Sequence, residues 1–269
     1  MKKYIKFFLI IIPLILLSLV SYNYIKQDHY IFRSLPLSRD FAYQWDVPFD
    51  EIFIPVGHDG EINALHFHSP SPKGAILFLH GQGKNLHHWG DRAHFFLERN
   101  YDVMIIDYRG FGKSSKGFKE NWLLEDAEAA YHHLLESFSE DQIVVYGQSL
   151  GTAMGTWVAS QHQPKMLILE APYYSMIAAA AYTKPFLPKW IIKLILKYPL
   201  KTNEWIKNVK SPIYIFHGTK DLTIPFVQAR ALYNEIKHEK DVEMIILPGW
   251  GHGNIPDHVD YLAKIAEIL

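Results

Sequence analysis

Cysteine is absent from the 269 residues of this chain. Its absence excludes disulfide bonds, zinc sites made of thiolates and a cysteine nucleophile. It does not distinguish the two sides of a membrane, because a chain without thiols suits an oxidising or a reducing compartment. Covalent catalysis by this chain would therefore need another nucleophilic side chain.

An excess of charge of either sign is missing as well. The chain has 27 Lys and Arg against 28 Asp and Glu, a formal net charge of −1, so it has no global attraction to nucleic acid. Its content of 49% hydrophobic and 14% aromatic residues excludes a disordered chain. The length suits one large α/β domain with a full core. No internal repeat is present, and we expect a monomer.

The N-terminus carries a long apolar run. Between residues 4 and 25 the only charge is Lys6, and as a helix this run would span roughly 33 Å, enough to cross a bilayer core. More lysines precede the run than follow it closely. This predicts a single-pass membrane anchor, residues 1–25, with a cytoplasmic N-terminus and the other residues on the non-cytoplasmic side. The alternative is a cleaved signal peptide and a secreted protein, although Ser18 and Ser21 are poorly spaced for cleavage.

The remainder of the chain divides into a connector and one domain. Residues 26–48 contain prolines and scattered aromatics and are predicted to be the connector. Residues 49–269 begin with an antiparallel hairpin around a glycine-containing turn and then alternate between β-branched strands and helices. This pattern predicts an α/β fold with a mostly parallel sheet and helices on both faces. The predicted strands are 52–56, 62–67, 75–79, 103–106, 143–145, 166–169, 213–216 and 242–247.

The pentapeptide Gly147–Gly151 fits the pattern G-x-S-x-G, with Ser149 at its centre. A predicted strand precedes it and a predicted helix follows it, which is the context of a nucleophile elbow. The serine of such an elbow sits on a strained turn, and the glycines let the strand and the helix pass close together. Taken alone the pattern is weak, because ordinary frequencies of Gly and Ser give roughly one chance match in ten chains of this length.

Three further residues follow strands at the same predicted edge of the sheet. Gln82 comes after the first buried strand, and Asp221 and His252 come after the last two strands. The carboxyl ends of parallel strands share one edge, where ligands of α/β proteins bind. The order serine, aspartate, histidine along the chain is the order of an α/β hydrolase.

These residues divide the work of acyl transfer. A serine hydroxyl is a poor nucleophile and needs a base, and histidine exchanges its proton near neutral pH, so His252 suits Ser149. Asp221 would fix the imidazole tautomer and stabilise the imidazolium. The backbone N–H groups of Gln82 and Leu150 would donate to the oxyanion.

Some residues suggest other roles. Glu170 also ends a strand at this edge and is an alternative acid. His66 and His68 share a strand face, but two histidines are an incomplete metal site, so no metal and no cofactor are predicted. The turn Gly112–Ser114 ends like a phosphate-binding loop, but Asp107 occupies the position of the glycine that such a loop needs.

Together these motifs resemble the α/β-hydrolase superfamily, in the membrane-anchored branch of serine aminopeptidase-like and lysophospholipase-like hydrolases. The resemblance runs from about Glu51 to the C-terminus and is specific for the fold and the triad but not for the substrate. It implies a short lid at residues 174–211. Gln82 stands where related proteins often have a small residue, so its side chain would narrow the acyl site. The motifs lie at residues 79–83, 107–114, 147–151, 170–173, 217–221 and 249–252.

The predicted lid is basic. It contains seven lysines and one acidic residue, Glu204. Lys189, Lys193 and Lys197 are spaced four apart, which predicts one face of a short basic amphipathic helix. Such a helix suits contact with an anionic membrane surface or an apolar acyl chain. The alternative is an ordinary helix whose lysines are solvated.

We therefore expect a lipase-like serine hydrolase of the carboxylesterase, lysophospholipase or thioesterase kind. It would cleave ester, thioester or amide bonds of small acyl substrates through an acyl-enzyme, next to a lipid surface. One alternative is a peptidase of the serine aminopeptidase type, and another is a catalytically silent binding protein with a hydrolase fold.

Overall fold

Within residues 2–269, whose backbone the computed structural model describes, the predicted strands form a single sheet of eight. They are β1 Phe49–Val56, β2 Gly60–Phe67, β3 Ala75–Leu79, β4 Asp102–Asp107, β5 Ile143–Gln148, β6 Met166–Glu170, β7 Ile213–Gly218 and β8 Val242–Leu247. The sheet order is β1-β2-β4-β3-β5-β6-β7-β8. β2 pairs antiparallel with β1 and β4, and the other neighbours are parallel. The predicted hairpin and mostly parallel sheet are confirmed.

Helices cover both faces of this sheet. Alternate residues of each central strand point to opposite faces, so Val145 of β5 packs in one core and Tyr146 in the other. The helices are α1 Lys2–Phe32, α2 Leu86–Trp89, α3 Ala93–Leu97, α4 Glu120–Leu135, α5 Gly151–Gln161, α6 Met176–Thr183, α7 Lys189–Ile195, α8 Thr202–Trp205, α9 Phe226–Ile236 and α10 Val259–Ile268. The first core lies beneath α4, α5 and α9, and the second beneath α3 and α10.

The predicted membrane anchor falls mostly on residues whose side chains the structure leaves undescribed. Side chains are described from residue 20 onward and, before it, at positions 11, 14, 15 and 18. Among the described residues, no helix combines the length and the apolar character that a membrane span requires. The anchor at residues 1–25 stays a prediction.

The boundary predicted after residue 25 does not coincide with the end of a helix. α1 continues to Phe32, whose side chain is fully buried. Its ring stacks on Phe118 at a centroid distance of 4.3 Å and meets Tyr198 edge-on at 4.8 Å. Tyr43, further along the predicted connector, is also buried. The connector is therefore partly packed on the domain, because burying these rings removes a large apolar area from water.

Helices α6, α7 and α8 occupy the predicted lid segment. Lys189 and Lys193 lie on α7, but this helix ends at Ile195. Lys197 lies beyond it, so the prediction that the three lysines share one helical face is wrong. The side chain of Gln27 supplies the reason. Its amide donates to the carbonyl of Ile195 at 2.7 Å and accepts from the N–H of Lys197 at 2.9 Å. These two bonds replace backbone hydrogen bonds that a further helical turn would make, and α7 ends there. A role as a lid remains a prediction.

Candidate active site

Ser149 lies at the sharp turn between β5 and α5 and has a φ of +50°, in the left-handed region that costs a non-glycine residue energy. The two flanking positions have space only for glycine, because a Cβ at either one would meet backbone atoms. A Cβ at Gly147 would lie 2.7 Å from the carbonyl oxygen of Gly151, and a Cβ at Gly151 would overlap the carbonyl of Leu79. The N–H of Ser149 donates to the carbonyl of Glu170 at 2.8 Å. The elbow geometry expected from the pentapeptide is present.

The structure brings His252 and Asp221 to this serine. His252 Nδ1 lies 2.6 Å from Asp221 Oδ2, and His252 Nε2 lies 2.9 Å from Ser149 Oγ. A carboxylate can only accept, so Nδ1 carries the proton of the first contact and Nε2 presents a lone pair to the hydroxyl. The three side chains form one hydrogen-bonded chain, although they come from three separate loops.

The carboxylate of Asp221 is fixed by its own loop. Its side chain is fully buried, and Oδ1 accepts from the backbone N–H groups of Thr223 and Ile224, both at 2.8 Å. His217 Nε2 lies 3.4 Å from Oδ2 of Asp221 and donates to the carbonyl of Ile224 at 2.8 Å. Burial lowers the pKa of His217, so at neutral pH it is uncharged beside Asp221 and does not compete with His252 as a cation. Sequence analysis assigned no role to His217, and its only signal was its position four residues before Asp221.

Glu170, the alternative acid, has other partners. Its side chain is fully buried, and its carboxylate accepts from Arg92 at 3.2 Å, from Gln148 at 2.8 Å and from the hydroxyl of Tyr146. No contact joins it to His252 among the hydrogen bonds of the described residues. Glu170 therefore joins the ends of β5 and β6 through hydrogen bonds beneath the site. The geometry favours Asp221 as the partner of the histidine.

A cavity of about 520 Å³ opens above Ser149. Gln82 lines it together with Ser149, His252 and Arg92. Gln82 and Leu150 follow neighbouring parallel strands, β3 and β5, which puts their backbone N–H groups at the same edge of the sheet as the serine hydroxyl. This is the arrangement that donors to a developing oxyanion require.

The side chain of Gln82 connects the rim of that cavity to α1. Its amide donates to the carbonyls of Tyr30 and Ile31 at the end of α1, at 2.8 and 2.6 Å. Those carbonyls are among the last of the helix and have no partner within it. This contact joins the candidate oxyanion loop to the N-terminal helix. That the side chain of Gln82 narrows the acyl site stays a prediction.

An apolar groove of about 530 Å³ is lined in part by the last turns of the same helix. α1 forms one wall, with Tyr30 and Ile31, and α6 and α7 form the other. Gln82 therefore links the two spaces, because it lines the cavity at Ser149 and donates to the carbonyls of Tyr30 and Ile31, which line the groove. The remaining lining residues are Asn23, Gln27, Met176, Ala179, Ala180, Thr183, Lys184, Leu187, Ile192, Ile195 and Leu196.

The eight-stranded sheet and the serine at its elbow define the class of protein: an α/β hydrolase of the serine-hydrolase type. Comparison with known families identifies the family within this class. The model of the family described as serine aminopeptidase, S33, matches residues 70–207, and the chain belongs to that family.

Curated relatives agree with this assignment. The chain is 30% identical over 207 residues to alpha/beta hydrolase domain-containing protein 17C of Xenopus tropicalis, covering 75% of this chain and 63% of that protein. It is 28% identical over 208 residues to alpha/beta hydrolase domain-containing protein 17B of Homo sapiens, covering 75% of this chain and 68% of that protein. The match to the frog protein thus spans less than two thirds of that protein's length.

Solved structures share the fold. An esterase of Pyrococcus furiosus superposes with a TM-score of 0.68 at 16% identity, over 88% of this chain and 98% of that one. An acylaminoacyl peptidase of Pyrococcus horikoshii superposes with a TM-score of 0.59 at 18% identity, over 81% of this chain and 40% of that one. One neighbour is named an esterase and the other a peptidase, so the fold does not specify the bond that is cleaved.

Proposed function

We propose that this protein is a serine hydrolase that cleaves ester, thioester or amide bonds through an acyl-enzyme formed on Ser149. The observation that carries the proposal is the hydrogen-bonded chain from Ser149 through His252 to Asp221, with contacts of 2.9 and 2.6 Å. A catalytically silent protein has no need to hold a serine at a strained φ beside a buried aspartate and a histidine.

The proposed reaction uses these groups in turn. His252 Nε2 accepts the proton of Ser149 as Oγ attacks the acyl carbon. The N–H groups of Gln82 and Leu150 stabilise the tetrahedral oxyanion, and each such donor is worth about 3 kcal/mol of barrier. The histidine then gives its proton to the leaving group. Water, activated by the same nitrogen, hydrolyses the acyl-enzyme. Asp221 stays ionised throughout and stabilises the imidazolium.

A fluorophosphonate probe tests the reaction class, since it reacts with an activated serine and would leave a silent binding protein unlabelled. The bond type is tested by comparing p-nitrophenyl esters of graded chain length with aminoacyl p-nitroanilides. A higher kcat/KM for the anilides would favour the peptidase alternative.

We also propose that the groove between α1 and α6 holds the acyl chain of the substrate. Its wall residues are mainly apolar, and it adjoins the helix turn that contacts Gln82. Nearby, the side chains of Phe186, Trp190 and Leu194 are 76%, 69% and 75% exposed. Exposed apolar side chains of this size in one segment are typical of surfaces that contact lipid, a ligand or another protein, and they support this proposal.

Filling this groove should change the chain-length preference. Ala180→Phe places a ring among the wall residues. We expect kcat/KM for dodecanoyl esters to fall about tenfold or more, while acetyl and butyryl esters change less than twofold, because only a long chain needs the groove. Ala266→Phe, on the exposed face of α10, is the matched control and should change neither. An equal loss for all chain lengths would contradict the acyl assignment.

We also propose that the N-terminal segment anchors the domain to the membrane, with the domain on the non-cytoplasmic side. The basic and apolar segment 174–211 would then contact the bilayer. The structure supports a short tether. Lys197 Nζ lies 3.1 Å from Asp28 Oδ1, and the hydroxyl of Tyr198 donates to the same oxygen at 2.8 Å. Residues beyond 26 are thus held against the segment that would face the lipid.

Removal of residues 1–26 is therefore expected to give a soluble domain that keeps its activity on acetyl and butyryl esters. Its activity on substrates presented in vesicles should fall several-fold, because the anchor no longer concentrates the enzyme there. Removal of residues 1–33 also deletes Phe32 and should lower the free energy of unfolding by about 3 kcal/mol or more. A mature N-terminus after Ser21, or a domain protected from protease added to intact spheroplasts, would contradict the proposed topology.

A further inference from the structure

Three potential metal ligands meet at the edge of the sheet opposite Ser149. His66 lies near the end of β2, His68 lies just beyond it, and Asp102 begins β4. The antiparallel pairing of β2 with β4 joins them. The sequence indicated only the two histidines, because Asp102 is distant along the chain. One ligand atom of each residue lies within 4.8 Å of the other two.

The distances between these atoms fit a cation. His66 Nε2 and His68 Nδ1 each lie 3.3 Å from the same oxygen, Oδ2 of Asp102. In a tetrahedral zinc site with bonds of 2.0–2.1 Å, neighbouring ligand atoms are about 3.3 Å apart. Hydrogen bonds to a carboxylate are usually shorter, at about 2.7–2.9 Å. A spacing of 3.3 Å fits ligand atoms around an ion, and it also fits the hydrogen bond between His68 Nδ1 and Asp102 Oδ2.

The hydrogen bonds around the cluster are compatible with lone pairs that face one position. His68 contacts a carboxylate oxygen with each ring nitrogen, Asp50 Oδ2 at 2.9 Å through Nε2 and Asp102 Oδ2 at 3.3 Å through Nδ1. In a neutral His68 that donates from Nε2 to Asp50, the lone pair is at Nδ1 and is directed at Asp102. Asp102 Oδ1 accepts from the N–H of Ser69 at 2.8 Å, so Oδ2 is the oxygen left for the histidines. His66 Nε2 is buried and has no hydrogen bond of acceptable geometry among the described residues.

We propose that His66 Nε2, His68 Nδ1 and Asp102 Oδ2 bind one Zn²⁺ ion. Two imidazoles and a carboxylate are ligands that Zn²⁺ accepts. Asp50 would orient His68 from behind, as second-layer carboxylates do for histidine ligands. The side chain of His68 is 36% exposed, so the ion has a path from solvent and water completes the coordination.

The proposed ion ties β2 to β4 at the edge away from the cavity at Ser149. It therefore stabilises the fold, since a ligand that binds only the folded state raises Tm. It takes no part in the hydrolytic reaction, and ester turnover at 25 °C should not depend on it.

The test uses the full-length, untagged protein after treatment with EDTA and dialysis. Titration calorimetry with Zn²⁺ should give one site per chain with a Kd of about 10 μM or lower. Zn²⁺ at 100 times this Kd should raise Tm by about 5 °C, and Mg²⁺ should not, because it prefers oxygen ligands. Co²⁺ in the same site should show the visible absorption of a tetrahedral ion.

Variants locate the ion. Asp102→Asn keeps an acceptor for Ser69 but removes the charged ligand, and His68→Gln changes a half-exposed side chain, so both should fold. Each should weaken Zn²⁺ binding about a hundredfold or more, and Asp50→Asn about tenfold. His132→Gln is the matched control, since His132 belongs to a second cluster with Glu128 and His162. Absence of saturable binding, or equal weakening by His132→Gln, would overturn the proposal.

Discussion

Ser149→Ala is expected to lower kcat for ester substrates by about ten-thousand-fold or more and to abolish labelling by a fluorophosphonate. The variant loses the only oxygen that His252 Nε2 contacts at 2.9 Å in the described site. The donors at Gln82 and Leu150 remain, so some acceleration over water should persist. The free energy of unfolding should change by less than about 0.5 kcal/mol, because alanine fits the space of the hydroxyl.

Ser160→Ala is the matched control for this experiment. Ser160 lies near the other end of α5, and its hydroxyl donates to the carbonyl of Trp157 at 2.6 Å, far from the elbow along the same helix. This variant should keep full labelling and turnover. Labelling that persisted in Ser149→Ala would show that another residue is the nucleophile.

Asp221→Asn is expected to lower kcat by about a thousand- to ten-thousand-fold with little change in KM. The amide oxygen can still accept from Thr223 and Ile224, so the loop should keep its shape. The amide nitrogen would then face His252 Nδ1 and favour the tautomer that carries its proton on Nε2. Such a histidine cannot accept the proton of Ser149. The measurement is the pre-steady-state acylation rate with a p-nitrophenyl ester.

Glu170→Gln is the comparison that separates the two acids. It should leave kcat within about tenfold and lower the free energy of unfolding by about 1–3 kcal/mol, because the buried contacts with Arg92 and Tyr146 lose their charge. Thermal unfolding of both variants measures their stability, so that a loss of activity caused by unfolding can be distinguished from a loss of catalysis. If Glu170→Gln lost more activity than Asp221→Asn at matched stability, Glu170 would be the acid of the triad.

The sequence by itself determined the elements of the domain. β-branched runs such as Ile143–Val145 and the spacing of helices between them predicted the strands of the parallel sheet, because period and composition are local properties. The edge on which Ser149, Asp221 and His252 lie followed from strand direction alone. The relative order of the residues along the chain then predicted the nucleophile, the acid and the base.

Contacts between distant residues were decided only by the tertiary structure. α1 continues to Phe32, which stacks on Phe118. Gln82 donates to the end of this helix, and Gln27 bonds to the end of α7. Each of these contacts joins residues far apart in sequence. The pairing of β2 with β4 brings Asp102 to His66 in the same way. No local pattern encodes such contacts, because side-chain packing and the satisfaction of helix ends depend on which elements meet.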